Sequence, residues 1–270
     1  MFEVFVLLGG CSCLAILYDK TRGVYDYEEN ASVYLAKYDT ISSKFVIIIL
    51  LLVMICFAGL RTRMNDTATY LTSFATRSPD SISEIIFIDW SVGSNPFFLV
   101  YQIIVKSFIT DSGYGFLFFT SAIVVTSMVI FLKKHSVDFP LSIFLFLAFT
   151  VYAFTMAAIK QTLATAIGIW AIALYIRGKR VLPALIILFA MMIHPYVLIF
   201  FIMYFMPRNI WDYRSLVLII IALIAGFFFT NIVDRLMDLS SALGDEYDMS
   251  LFYGSGVNRF RLITYAIGPA

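Results

Sequence analysis

Long uncharged stretches alternate with short charged ones along almost the whole chain. Val4–Tyr18, Phe45–Leu60, Ser112–Leu132, Phe139–Ile159, Gln161–Ile176, Val181–Met206 and Ser215–Val233 contain no Asp, Glu, Lys or Arg. A helix rises about 1.5 Å per residue, so crossing roughly 30 Å of hydrocarbon takes about 20 apolar residues, with about 17 to 25 usual. The pattern therefore predicts an all-α fold, a polytopic transmembrane helix bundle with seven full spans. Pro96–Thr110 holds Gln102 and Lys106 among aromatic residues. It is too polar to face lipid and too short to cross, and predicts an interfacial or half-inserted helix. A last apolar run begins at Leu262 and stops at Ala270, about half of a span, which reads as a truncated span at an incomplete C-terminus. No glycine- or serine-rich linker, low-complexity tract or fixed-period repeat interrupts residues 1–270, so a single integral membrane domain is expected.

Composition agrees: 61% of the 270 residues are hydrophobic and 14% charged, against about 45–50% and about 25% in soluble domains. Nineteen basic and eighteen acidic residues leave a net charge of +1, without the basic footprint of a nucleic-acid binder. Cys11, Cys13 and Cys56 all fall in apolar runs and read as lipid-buried thiols. Leu8-Gly9-Gly10-Cys11 faintly resembles a lipoprotein cleavage box, but Glu3 stands where a signal peptide is basic. The first run therefore reads as an uncleaved span. Basic residues in short loops favour the cytoplasmic side. Assigning Asp19–Lys44, Lys133–Asp138 and Arg177–Arg180 to it places nine there, against Arg61, Arg63, Arg77, Lys106 and Lys160 opposite. The N-terminus and the Arg61–Ser112 loop then face outward. Topology after Arg180 depends on whether Val181–Met206 crosses once or turns back at His194-Pro195.

Polar groups at membrane depth need a partner or a wet cavity, so they mark candidate sites. Three clusters qualify. The first runs from Gly59 to Tyr70. Arg61 and Arg63 can clamp a phosphate with paired donors, and Asp66 can accept a proton from a sugar hydroxyl. Alternatively the arginines snorkel to headgroups and Asp66 caps a short helix over Thr67–Ala75. In the second, Lys160 is the one break in an apolar stretch from Phe139 to Ile176. Gln161, Thr165 and Gly168 follow on one helical face, which should meet protein or water; the alternative is a lysine at an interhelical turn.

The third cluster is Met191-Met192-Ile193-His194-Pro195-Tyr196, about 20 Å along a helix from Val181. Pro195 removes a backbone donor and kinks the helix, presenting His194 either for acid–base work or as a packing residue. His135, beside Lys133 and Lys134, reads as surface. The chain has no Gly-rich phosphate loop, no His-Glu-x-x-His and no Cys/His ligand set, so a nucleotide-driven pump or a zinc enzyme has no support in the sequence.

In these clusters the chain resembles the EpsG family of bacterial polysaccharide polymerases, membrane proteins similar in role to Wzy polymerases. The family pattern of an arginine leading into Asp-Thr-x-x-Tyr is matched by Arg61 and Asp66-Thr67-Ala68-Thr69-Tyr70. Its acidic-Pro-Gly-aromatic element corresponds to Asn95-Pro96-Phe97-Phe98. Its Ile-Arg-Gln-x-x-Ala segment corresponds to Ile159-Lys160-Gln161-Thr162-Leu163-Ala164, and its His-x-x-x-Leu helix to His194-Pro195-Tyr196-Val197-Leu198. Lys160 keeps the charge of the family arginine without its bidentate fork. Asn65 stands where the family has glycine, and no acidic residue precedes Pro96.

The resemblance implies glycosyl transfer at the outer face of the bacterial cytoplasmic membrane. A saccharide on undecaprenyl pyrophosphate would pass to a hydroxyl of the next lipid-linked repeat unit. By the same resemblance, Arg61, Arg63 and Lys160 bind pyrophosphate, Asp66 or His194 accepts the hydroxyl proton, and Gln161 and Tyr70 hold sugar. It implies no metal and no cofactor, and it suggests a flippase and a chain-length regulator as partners beside membrane lipid. Two other classes need similar residues: a transporter or flippase for lipid-linked saccharide, and a membrane acyltransferase with histidine as base.

Overall fold

The computed structural model describes residues 2–29, 32–62, 67–77, 85–91, 95–206 and 212–228. The chain divides into two compact units, Met1–Phe205 and Met206–Ala270. The first holds α1 (Phe2–Thr21), a hairpin of β1 (Gly23–Glu29) and β2 (Ser32–Tyr38), α2 (Ile41–Gly59), α3 (Thr67–Ala75), α4 (Pro96–Phe108), α5 (Gly113–His135), α6 (Phe139–Ala148), α7 (Val151–Ala157), α8 (Ile159–Ile176), α9 (Val181–Met191) and a 3₁₀ helix over Pro195–Tyr204. The second contributes α10 (Tyr213–Phe227).

Helix starts coincide with side chains that satisfy the first unpaired N–H groups. Thr40 Oγ1 accepts from Ser43 N at 3.1 Å, Ser112 Oγ from Gly115 N at 3.4 Å, and Asp138 Oδ1 from Leu141 N at 2.9 Å. Pro140, in the first turn of α6, gives up no hydrogen bond there.

Among the described residues, α1 from Glu3, α2, α5 and α8 are long and apolar enough to cross a membrane; α6 and α7, bent by 53°, make a fifth if taken as one span. Of the seven spans expected, the described residues therefore show four or five. The Phe139–Ile159 run bends because Thr150 adopts a left-handed conformation, φ 61°. The Val181–Met206 run breaks at Pro195: α9 stops at Met191, and the N–H groups of Ile193 and His194 both donate to Ala190 O at 3.0 Å. In the last run the apolar helical stretch is Ser215–Ile224, and residues beyond 228 lie outside those described, as does the run from Leu262. The half-length helix is present as α4, thirteen residues long.

The Asp19–Lys44 loop carries the antiparallel hairpin, paired from Gly23↔Tyr38 to Glu29↔Ser32. This departs from the all-α expectation. Val24, Tyr25 and Tyr27 in β1 and Val33, Tyr34 and Leu35 in β2 are strand-forming types that the neighbouring charges obscure.

Two apolar cores share α5. Val125 and Val129 pack with Leu50, Met54, Ile143 and Tyr18 from α1, α2 and α6. Phe116, Leu117 and Val124 pack with Phe74, Phe98, Leu163 and Ile187 from α3, α4, α8 and α9. Helices α2 and α5 approach closely where a Cβ on Gly59 would lie 2.7 Å from Phe118 Cα, the small-residue contact typical of helices packed in lipid. At the hairpin end, Asp39 accepts from Tyr18 Oη at 2.6 Å and from Lys133, with Arg22 Nε at 3.7 Å. One carboxylate thereby joins the ends of α1, α2 and α5.

Candidate functional site

Helix α2 closes with Leu60 N donating to Cys56 O at 2.9 Å, and the next side chain, Arg61, folds back over that end. Its Nη1 donates to Ala58 O at 2.5 Å and Ser121 Oγ at 3.4 Å, and its Nε to Thr67 Oγ1 at 3.3 Å. The residue is only 9% exposed. Burial draws its pKa down to about 10, so the guanidinium is still a cation at neutral pH. Arg61 thus ties the end of α2 to the start of α3 and the middle of α5.

Thr67, Tyr70 and Phe74 are the buried face of α3, at the spacing of one helical stripe. This stripe meets α4. Tyr70 packs edge-on against Phe98, with ring centres 5.8 Å apart, and Phe74 stacks on Phe116 at 4.6 Å. The polar residues of α4 turn onto α3 as well. Lys106 Nζ donates to Phe74 O and Ala75 O, each at 2.9 Å, and Gln102 Oε1 accepts from Ser73 Oγ at 3.3 Å. A cation at the C-terminal carbonyls of α3 is favoured by the helix dipole.

Lys160 lies in the first turn of α8 with Nζ 5.5 Å from the centre of the Phe98 ring. His194 caps the 3₁₀ helix. Its Nδ1 accepts from Tyr196 N at 3.3 Å, which places the ring proton on Nε2, and its ring meets Tyr196 edge-on at 4.7 Å. The break before it is pinned to α4, because Phe97 N donates to Met192 O at 3.1 Å. Asn95, ahead of Pro96, has φ 54°, a left-handed conformation that asparagine tolerates.

Gln161 follows Lys160 on α8, half-buried, and its carbonyl accepts from Thr165 Oγ1 at 2.8 Å. Gly168, farther along that face, is packed so tightly that a Cβ would come within 2.5 Å of Val197 Cγ2. The face expected to meet protein does so at Gly168. His135 is exposed, its ring 4.7 Å from Phe131.

Tyr70 and Lys160, 90 positions apart in numbering, therefore meet on the Phe98 ring, and the neighbouring Phe97 is bonded to Met192, two positions before His194. Arg61 reaches that group only by way of Thr67 and α3. Arg63 and Asp66 lie outside the described residues. Arg61 and Thr62 line a different space, a cavity of about 1190 Å³ between α1, α2 and the bent α6–α7 pair, which Lys160 and His194 do not line. Among the described residues no three His, Cys, Asp or Glu side chains are grouped as metal ligands. Sequence reasoning missed the part of Phe98, whose only sign was its place after Pro96, and that of Ser121, which carries no local sign. It also missed the contribution of α1 to the cavity.

No curated protein and no solved structure matches the chain. The sequence model of the EpsG family does match, over residues 44–267, covering every helix of the site just described from α2 to the 3₁₀ helix; the chain belongs to the EpsG family, the family of Wzy-like polysaccharide polymerases.

Proposed function

We propose that the protein polymerises oligosaccharide repeat units carried on undecaprenyl pyrophosphate, by glycosyl transfer at the outer face of the bacterial cytoplasmic membrane. Family membership supports a polysaccharide polymerase. The observation that carries the finer reading is that Lys160 and Tyr70 share the Phe98 ring, while the adjoining Phe97 is hydrogen-bonded to Met192 in the break that leads into His194. A cation, a neutral imidazole donor and a phenol at one junction suit a sugar joined to a phosphate. The excess of basic residues in the loops before α2, after α5 and after α8 supports the outward placement of this junction.

In the proposed reaction the bond between the anomeric carbon and the pyrophosphate oxygen breaks, and a bond from that carbon to the acceptor hydroxyl oxygen forms. The leaving pyrophosphate takes the electron pair, and Lys160, Arg61 and Arg63 stabilise its charge. Because Nδ1 of His194 is engaged by Tyr196 N–H, Nε2–H is a donor to a substrate oxygen. Asp66 is then the group that accepts the hydroxyl proton. Tyr70 and Gln161 hold sugar. On this reading, as the family resemblance implies, the step is metal-independent.

The test is purified protein, reconstituted in vesicles and incubated with lipid-linked repeat units. A ladder of chain lengths is expected, and its loss in His194→Ala and in Arg61→Ala, with both variants still in the membrane. Substrate moved across the bilayer without a ladder would identify a transporter, and dependence on an acyl donor an acyltransferase. Normal polymer from both variants refutes the assigned roles.

A further inference from the structure

The cavity beside Arg61 has two chemically distinct parts. Its walls are mostly apolar, with Leu7 and Leu14 from α1, Val53 and Phe57 from α2, and Met156 from α7, while Arg61 and Thr62 stand at the end where α2 finishes and Glu3 of α1 also lines it. The α1 residues along it run from Glu3 to Leu14, about 16 Å at the helical rise. That is roughly half of the hydrocarbon thickness, or one leaflet. The bend of 53° between α6 and α7 falls beside it, and Thr150 at the bend is one of its lining residues. Among the described residues the Arg61 guanidinium donates to three neutral oxygens, and no carboxylate there lies within ion-pair distance of it. A buried cation without a counter-charge is costly and favours an anion at its open side.

We infer that this cavity is the seat of the lipid carrier's polyprenyl tail, with the phosphate next to the carbon chain held at Arg61. The inference rests on the proposed function and adds a place for the part of the substrate that does not react. One slot of leaflet depth suits one chain, whereas a bilayer phospholipid brings two. Thr67, which accepts from Arg61, and Tyr70 lie one turn apart on the buried face of α3. A phosphate at Arg61 therefore leaves its sugar-bearing side next to the helix that leads to Phe98, Lys160 and His194.

A polyprenyl phosphate without sugar, carrying a photoreactive group in its tail, tests this on the whole protein in lipid nanodiscs. Labelled peptides are expected from α1, α2 and α7. Gly10 lines the cavity, and a Cβ there meets nothing within 4 Å, so Gly10→Trp fills the slot without a backbone clash. It should reduce labelling roughly tenfold, and Arg61→Gln should weaken it by a similar factor. Labelling confined to α4 and α8, or unchanged in Gly10→Trp, overturns the inference. So does competition by phosphatidylglycerol as effective as that by unlabelled polyprenyl phosphate. Should Gly10→Trp fail to accumulate, the peptide map of the unsubstituted chain decides. Labelling needs no polymerisation, so a protein that forms no ladder yet labels in the slot refutes the proposed reaction and keeps this inference.

Discussion

Lys160 holds its ammonium 5.5 Å from the centre of the Phe98 ring, and Tyr70 meets the same ring edge-on at 5.8 Å. One phenylalanine thus relates a cation from α8 to a phenol from α3. Its own helix, α4, is fastened to the break before His194 through Phe97 N and Met192 O. Moving any one of these elements moves the other two.

Phe98→Leu keeps an apolar side chain and removes the π-face. The cation–π contact is worth about 0.5–2 kcal/mol and the aromatic pair about 0.5–1.5 kcal/mol. If only the cation–π contact bears on the reaction, the initial rate of polymer formation should fall between about twofold and roughly thirtyfold, as read from the ladder on a gel. Lys160→Met should abolish the ladder, and Phe98→Tyr should retain most of it.

Gly59 and Gly10 should respond oppositely to alanine. At Gly59 the added Cβ would lie 2.7 Å from the backbone of Phe118, forcing α2 from α5 beside Arg61 at a cost of about 1–3 kcal/mol. At Gly10 it meets nothing within 4 Å, and the helix gains roughly 0.5–1 kcal/mol from the lost glycine entropy. Thermal unfolding in detergent should show a lower midpoint for Gly59→Ala and an equal or higher one for Gly10→Ala.

Acid should loosen the hairpin end. Burial alone would raise the pKa of Asp39, but the bonds from Lys133 and Tyr18 and the charges of Lys133 and Arg22 outweigh it and hold the carboxyl below its ordinary value. A depressed folded pKa means that the stabilisation is fully present above the unfolded value, about 3.9. It disappears as pH falls through the lower folded value. Melting midpoints measured from pH 7 downward should drop in this acid range, and Asp39→Asn should start lower and show a shallower acid drop.

Thr150 is held at φ 61°, where a β-branched residue is strained by about 1–2 kcal/mol and glycine is not. Thr150→Gly should therefore raise the melting midpoint slightly and preserve the bend between α6 and α7. Thr150→Val keeps the strain and loses the hydroxyl, and should not raise it.

The order and type of most helices were legible because hydrocarbon solvates no backbone polar group, so every crossing must be written as a long uncharged run. The same rule exposed Arg61, Lys160 and His194 as residues needing a protein environment. Length alone did not reveal where runs bend. Whether Phe139–Ile159 or Val181–Met206 forms one helix is decided by single backbone positions, Thr150 and Pro195, and by the neighbours that accept the bent form. The hairpin was hidden by the charges around it.

By itself the sequence determined that this is a membrane helix protein, which polar groups lie at depth, and through its ordered motifs the family to which it belongs. Only the tertiary structure decided which of those groups meet. Tyr70 and Lys160 meet on Phe98 because α3, α4 and α8 pack with α5 in one core, which also takes in Ile193 and Val197 on either side of His194. Arg61 instead borders the cavity formed with α1 and the α6–α7 pair. Helical period specifies the face a residue occupies, but the partner of that face depends on packing between segments far apart in the chain, which no local pattern encodes.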